Sequence, residues 1–226
     1  MVGLAGKMEA VSRLAWDHNA YYHHLLLRHV PRACYRALDV GCGAGAFAAR
    51  LATLVDHVDA LDRSPAMVHV ARQVTPNNVS CILGDVLHYP LPAESYDAIF
   101  SIAALHHLPL TDALGRLGAA LRPGGVLAAV SLPRLDLPLE LPVELAAVVG
   151  QRLLGAAFAA ARSTGHGSWY EQEPTHGAMP VVLDPLLTTR QARHKAIRAL
   201  PGVHVRRLVY WRYFLLWQKP LGSESR

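Results

Sequence analysis

The segment ALDVGCGAG, residues 37–45, constrains this chain more than any other, because a short apolar run there passes directly into three glycines within five positions. Such a pattern reads as a buried strand that ends in a tight turn and feeds a helix. Arg36 to Val40 forms the expected strand, and the helix behind the turn carries Phe47, Leu51 and Leu54 as one inward stripe.

The alternation then repeats. His57 to Leu61 reads as a second strand, and Ser64-Pro65 opens a helix whose inward face is Met67, Val70 and Ala71. Val79 to Leu83 is the third strand. Tyr96 to Ile102 is the fourth, apolar on both faces as a central parallel strand must be. Leu110, Leu114, Leu117 and Leu121 follow at helical spacing, Pro123-Gly124-Gly125 stops that helix, and Val126 to Ser131 is the fifth strand. Short strands joined by crossover helices predict an α/β fold, a Rossmann-like doubly wound sheet with helices on both faces. A helix from Thr188 to Leu200 and two closing strands, His204 to Trp211 and Tyr213 to Lys219, complete it. The sheet is therefore expected to be mostly parallel with an antiparallel closing strand.

One domain of 226 residues is expected. Within it, 1–35 reads as an N-terminal helical cap, 36–131 as the βα core, 132–187 as an insertion or lid, and 188–220 as the last helix and closing strands. The formal net charge of +5 comes almost wholly from scattered arginines, lysine standing only at Lys7, Lys195 and Lys219, so no basic cluster marks a nucleic-acid surface. Cys34, Cys42 and Cys81 lie far apart without a CxxC pair, which argues against a disulfide framework or a thiolate zinc site and favours a reducing, cytoplasmic setting. Thirteen histidines include the neighbours His23-His24 and His106-His107 but no HExxH, so no metal site is expected. The apolar stretch Leu141 to Ala161 carries Glu144, Gln151 and Arg152 and is not expected to span a membrane. A helix from Val143 to Arg162 could line a hydrophobic acceptor pocket, touch a membrane surface or pack on a partner; burial within the monomer or in a homodimer is expected, because its cations are few and surface-binding helices are usually basic.

Gly41, Gly43 and Ala46 satisfy the GxGxxG/A spacing of dinucleotide sites, and Asp62, 21 positions after Gly41, ends the second strand where a carboxylate takes both ribose hydroxyls. These residues fit a nicotinamide or an adenosyl cofactor equally. Asp39 separates the two: two positions before the turn, a carboxylate repels a diphosphate and tolerates an ammonium or sulfonium. Asp85 ends the third strand, so three successive strands deliver acids to one edge of the sheet, the edge where ligands bind in this architecture.

The stretches ALDVGCGAG (37–45), VDALDRSPAMVHVAR (58–72), ILGDVLHYPLPAESYDAIFSIAALHHL (82–108) and LRPGGVLAAVS (121–131) together resemble class I S-adenosylmethionine-dependent methyltransferases of the small-molecule group labelled type 11. The resemblance implies S-adenosyl-L-methionine as cofactor. It places Gly41, Cys42 and Gly43 against the methionine part, with Asp39 orienting that region and the Ser101 carbonyl on the ammonium. Asp62 then holds the ribose diol beside Arg63, Met67 lies near the adenine, Asp85 accepts from the adenine amino group, and the Val86 N-H meets the ring. The N-terminal LAWDHNAYYHHLL resembles a cap over the cofactor, with Tyr22 and Asn19 as its contributors.

Methyl transfer is an in-line displacement that needs alignment and exclusion of water, and a neutral imidazole can remove the acceptor's proton. His106 and His107 lie where related N-methyltransferases and cyclopropane synthases carry a Glu-His pair. His107 keeps that match, whereas His106 replaces the glutamate. His166, His176, Trp169 and Tyr170 are candidate lid residues. The expected function is methylation of an O, N or C nucleophile on a small, hydrophobic or aromatic metabolite. An NAD(P)-dependent oxidoreductase, a nucleic-acid methyltransferase and a non-methylating S-adenosylmethionine binder are the alternatives, the nucleic-acid reading disfavoured because no base-flipping tetrapeptide stands at Ser101-Ile102-Ala103-Ala104.

Overall fold

The computed structural model describes residues 16–137, 140–164 and 185–221. His166, Trp169, Tyr170 and His176 lie outside the described residues. The chain enters through α1 (His18–Leu27), whose first turn is capped by Asp17 accepting from the N-H groups of Asn19 and Ala20 at 2.7 and 3.0 Å. It continues through β1 (Arg36–Val40), α2 (Ala46–Leu51), β2 (His57–Asp62), α3 (Pro65–Val74), β3 (Val79–Leu83), β4 (Tyr96–Ile102), α4 (Leu110–Ala120) and β5 (Leu121–Ser131). The last elements are α5 (Leu141–Ser163), α6 (Thr189–Ala199), β6 (His204–Leu208) and β7 (Arg212–Gln218).

Among the described residues, seven strands form one sheet in the order β3-β2-β1-β4-β5-β7-β6, with β7 antiparallel to both neighbours and the rest parallel. The chain winds outward from β1 toward β3, then returns through β4 on the other side. This creates a switch point between the carboxyl ends of β1 and β4, the place where ligands bind in this architecture. One face of the sheet packs Leu110, Leu114 and Leu117 of α4 with Ala192 and Ala196 of α6, all fully or nearly fully buried. The other packs Leu26 of α1, Phe47 and Leu51 of α2 and Ala147 of α5. Each such leucine contributes about 1.5–3 kcal/mol relative to exposure. Ser64 caps α3 ahead of Pro65, and Thr188 and Gln191 form a reciprocal capping box on α6.

Three details depart from the sequence reading. Strand β5 begins at Leu121, not after the glycines: Tyr96 pairs Leu121 and Ala98 pairs Val126, so the Pro123-Gly124-Gly125 segment is a bulge inside the strand. Leu54 is 52% exposed, because α2 stops at Leu51 and Thr53 turns its hydroxyl onto the Arg50 carbonyl at 2.8 Å. The closing strands are shorter than expected, since Tyr210 and Trp211, at φ +56° and +57°, form a tight hairpin tip between them. The helix expected to be buried in the monomer or in a homodimer, α5, is packed in the monomer along one side only. Its inner side, Ala147, Gly150, Leu154 and Phe158, packs on the domain, and a Cβ on Gly150 would lie 2.9 Å from the Tyr210 hydroxyl. Its outer side leaves Leu145, Val149 and Leu153 more than half exposed. It is also the one helix among the described residues long and apolar enough to cross a membrane by length and composition, although Glu144 pairs with Arg207 of β6 and so ties it to the sheet.

Candidate functional site

The carboxyl ends of β1, β2, β3 and β4 are adjacent at one edge, so the turns that follow them lie side by side. After β1 the backbone N-H groups of Gly41 and Cys42 both donate to the Leu61 carbonyl, at 2.8 and 3.1 Å, pinning the turn to β2. Gly41, Gly43 and Gly45 all have positive φ, which favours glycine. At Gly41 the demand is also spatial: an added Cβ would lie 2.3 Å from the Cβ of Ala104, beyond the end of β4. The two walls of the switch point therefore touch there.

Asp62 completes the turn. Its Oδ2 accepts from the Gly43 N-H at 2.9 Å and its Oδ1 from the Ser64 N-H at 2.8 Å, and the carboxylate, being partly exposed, keeps lone pairs for a diol. Asp85 accepts from the Leu87 N-H at 2.9 Å and faces His88 Nδ1 at 3.0 Å. The Leu87 hydrogen bond holds its carboxyl below the usual range, with His88 and Arg63 adding to the effect. Arg63 is exposed on this rim, whereas Met67, Val86 and Cys42 are buried beneath it. Burial, reinforced by Asp39 and Asp62, raises the Cys42 thiol far above its ordinary value, so it is an apolar wall of the turn and not a nucleophile.

Asp39 is the most unusual group. It is 1% exposed, and its Oδ2 has no hydrogen-bond partner among the described residues. Burial first, and the Asp62 charge second, push its carboxyl up to about 8. An orphaned buried acid beside a positive-φ glycine cradle is matched to a cationic ligand, since the ligand's charge supplies what desolvation removes. It is not matched to a diphosphate. The chemistry of the residues present thus fits an adenosyl sulfonium and its ammonium, and Asp39, Asp62 and Asp85 are the groups that would hold such a cofactor. Ser101 is buried at the end of β4 and donates its hydroxyl to the Val40 carbonyl at 2.9 Å, locking β4 to β1 at the same level.

Beyond β4 the chain passes through Ala103, a non-glycine residue at φ +51°, into a single helical turn at Leu105–His107. Backbone strain of this kind persists where surrounding structure enforces it; here Ala103 donates its N-H to the Val130 carbonyl at 2.8 Å. The rings of His106 and His107 lie 4.0 Å apart. Burial pushes His106 down to about 3, with His107 and Arg212 adding to the shift. A smaller burial effect and Arg63 lower His107. Both imidazoles are therefore neutral near pH 7. His106 Nδ1 faces the Ser131 hydroxyl at 3.4 Å and lines a cavity of about 110 Å³ with Leu105, Leu108, Leu132, Leu187 and Tyr213.

The N-terminal cap residues sit elsewhere on the rim. Tyr22 is buried and donates its hydroxyl to the Val209 carbonyl at 2.6 Å, and Asn19 Oδ1 accepts from Arg212 Nη2 at 2.9 Å. Both thus bind α1 to the β6–β7 hairpin and not to the glycine turn. Three contributors escaped the sequence reading. Ala104 bounds the turn, Arg116 holds the loop after β3 by donating to the carbonyls of Val86 and Tyr89 at 3.0 and 2.6 Å, and Arg212 anchors the cap. Ala104 lies within the matching stretch 82–108, but nothing local marks its approach to Gly41, and Arg116 and Arg212 belong to no motif.

Residues 38–129 match the family model described as a methyltransferase domain. An uncharacterized methyltransferase of Mycobacterium tuberculosis is 33% identical over 211 residues, covering 91% of this chain and 98% of that protein. A ubiquinone biosynthesis O-methyltransferase of Methylocella silvestris is 32% identical over 146 residues, 57% of each chain. Among solved structures, a SAM-dependent methyltransferase from Aquifex aeolicus superposes with a TM-score of 0.55 at 17% identity, covering 87% of this chain and 88% of that one.

Proposed function

This chain belongs to the class I S-adenosylmethionine-dependent methyltransferases, and on that footing we propose that its acceptor is a small, hydrophobic or aromatic metabolite methylated on an O, N or C nucleophile. The observation that carries this reading is the cavity of about 110 Å³ beyond β4, walled mainly by leucines and Tyr213, with His106 and Lys195 also in its lining. An apolar pocket with few polar groups selects an apolar acceptor and orients it through those few.

The bound cofactor supplies an electrophilic methyl group on a cationic sulfur. The protein's part is placement. Asp39 and Asp62 fix the charged and ribose ends against the glycine turn, the Gly41–Ala104 contact holds that turn against the loop after β4, and the same loop places His106 in the cavity wall with the His107 ring beside it, 4.0 Å between ring centroids. Such positioning is worth on the order of 7–11 kcal/mol in an intramolecular setting. His107 is the proton acceptor in this reading. Its imidazole is neutral at pH 7, less buried than His106, and near enough to Arg63 to feel its charge. His106, held near 3, is too weak a base for that task and serves as an uncharged hydrogen-bonding wall.

The test is methyl transfer from labelled S-adenosylmethionine to a panel of hydrophobic phenols, catechols, aliphatic amines, polar metabolites and RNA. Transfer to the apolar members alone is the expected result. Transfer confined to polar metabolites or RNA would overturn the acceptor assignment while leaving the family intact.

A further inference from the structure

The fold gathers uncovered apolar side chains beside the acceptor end of the sheet. Leu141, Leu145, Val148, Val149 and Leu153 recur along one side of α5 at i, i+4, i+7, i+8 and i+12, and all five are exposed. The loop that leads from β5 into α5 adds Leu135 and Leu137, and Leu186 lies across from it, 75% exposed. These segments are joined: Arg134 and Thr188 form a β-bridge, the Arg134 N-H donates to the Leu187 carbonyl at 2.7 Å, and Asp136 pairs with Arg190 at 3.6 Å. A patch of this extent exceeds what scattered surface leucines produce.

Its charges are sorted by sign. Glu140 and Glu144, the acids at the start of α5, are both turned inward onto Arg207 of β6, each with its side chain no more than 14% exposed. Arg134 and Arg152 remain exposed on the patch. Beside it, α6 presents Arg190, Arg193, His194, Lys195 and Arg198 to solvent and contains no acid. The outward surface therefore combines apolar side chains with cations, the composition that suits the interfacial zone of an anionic bilayer. A second copy of the chain is a poorer occupant, because pairing this face with itself sets like charges together.

We propose that α5, the loop at residues 132–137 and the start of α6 form a docking surface for an anionic lipid bilayer, with α5 lying in the interface plane and not crossing it. Leu186 belongs both to this surface and to the wall of the acceptor cavity, so docking opens that cavity toward the lipid. That last consequence rests on the hydrophobic-acceptor reading; the docking itself does not.

Flotation of the purified chain with vesicles tests it without cofactor or turnover. The wild type is expected to float with phosphatidylcholine vesicles containing about one-third phosphatidylglycerol, and much less with pure phosphatidylcholine or in high salt. Leu145→Gln combined with Leu153→Gln changes only exposed side chains, and it is expected to lower the bound fraction at least tenfold with S-adenosylmethionine affinity unchanged. Arg190→Gln combined with Arg193→Gln is expected to flatten the salt dependence. Absence of flotation, or equal flotation by the leucine double variant, overturns the proposal. So does a wild-type dimer in sedimentation analysis that the same variant converts to monomer without any vesicle binding, which assigns the face to a second copy.

Discussion

The backbone N-H of Gly43 donates to Asp62 Oδ2 at 2.9 Å, so the acid that ends β2 and the glycine turn that ends β1 form one hydrogen-bonded unit. A carboxylate at this place has two tasks. It shapes the glycine turn, and in the proposed site it would offer its remaining lone pairs to a ribose diol. The same residue is thus part of the fold and part of the site.

Replacing Asp62 separates these tasks. Asp62→Ala removes the partner of both Gly43 and Ser64, and a lost charge-assisted hydrogen bond is worth about 1.5–3 kcal/mol. S-adenosylmethionine binding is expected to fall at least tenfold, measured by calorimetry, together with a lower Tm. Asp62→Asn keeps an oxygen for one N-H and is expected to recover most of the Tm but little of the affinity. Wild-type affinity in either variant contradicts the ribose assignment.

Asp39 predicts a pH signature. Its carboxyl is raised in the folded protein to about 8 from an ordinary 3.8, so between those values the folded chain holds a proton that the unfolded chain has released. Stability from this group is therefore greatest at low pH and declines as pH rises from about 4 to about 8. Asp39→Asn is expected to remove that decline and to raise Tm at pH 8, while weakening cofactor binding. In the wild type at pH 7, binding of the cation is expected to expel the proton, visible as a dependence of calorimetric enthalpy on buffer ionisation heat. Binding with no proton release contradicts the pairing.

The two histidines are distinguished by turnover. His107→Ala is expected to lower kcat by about 10²–10⁴, the usual contribution of a general base, with cofactor affinity nearly intact. Because burial and Arg63 lower its pKa, the wild-type rate is expected to be level through neutrality and to decline only on the acid side of 6.5. His106→Ala is expected to change KM more than kcat. An acid limb that survives in His107→Ala assigns the base elsewhere.

Tyr22→Phe tests the cap. Its hydroxyl is bound to the Val209 carbonyl at 2.6 Å, so the variant is expected to lose about 1 kcal/mol of stability in urea titration and to bind S-adenosylmethionine as the wild type does. A tenfold loss of affinity would move Tyr22 into the cofactor site.

Much of the architecture was legible in the residues because its cause is local. The leucines of α4 recur with the helical period, and the apolar runs at Arg36–Val40 and Val79–Leu83 have the length and turn flanks of strands, so the expected elements coincide with those observed. The mistakes share a cause as well. Pro123-Gly124-Gly125 has the composition of a terminator, yet Tyr96 and Ala98 on the neighbouring strand extend β5 through it. Leu54 continued a helical stripe whose helix had already ended at Leu51. For α5 the expectation was burial in the monomer or in a homodimer, and composition alone could not show that its inner side is packed in the monomer while its outer side is bare.

The sequence alone determined the sheet of βα units, the glycine turn and the acids at successive strand ends, because periodicity, turn chemistry and strand length act over a few residues. Tertiary structure decided which of those groups meet. The approach of Ala104 to Gly41, the unpaired oxygen of Asp39, the weak basicity of His106 and the attachment of Tyr22 to Val209 depend on contacts between segments as far as 187 positions apart. Desolvation and steric fit are properties of the assembled surroundings, and no local pattern encodes them.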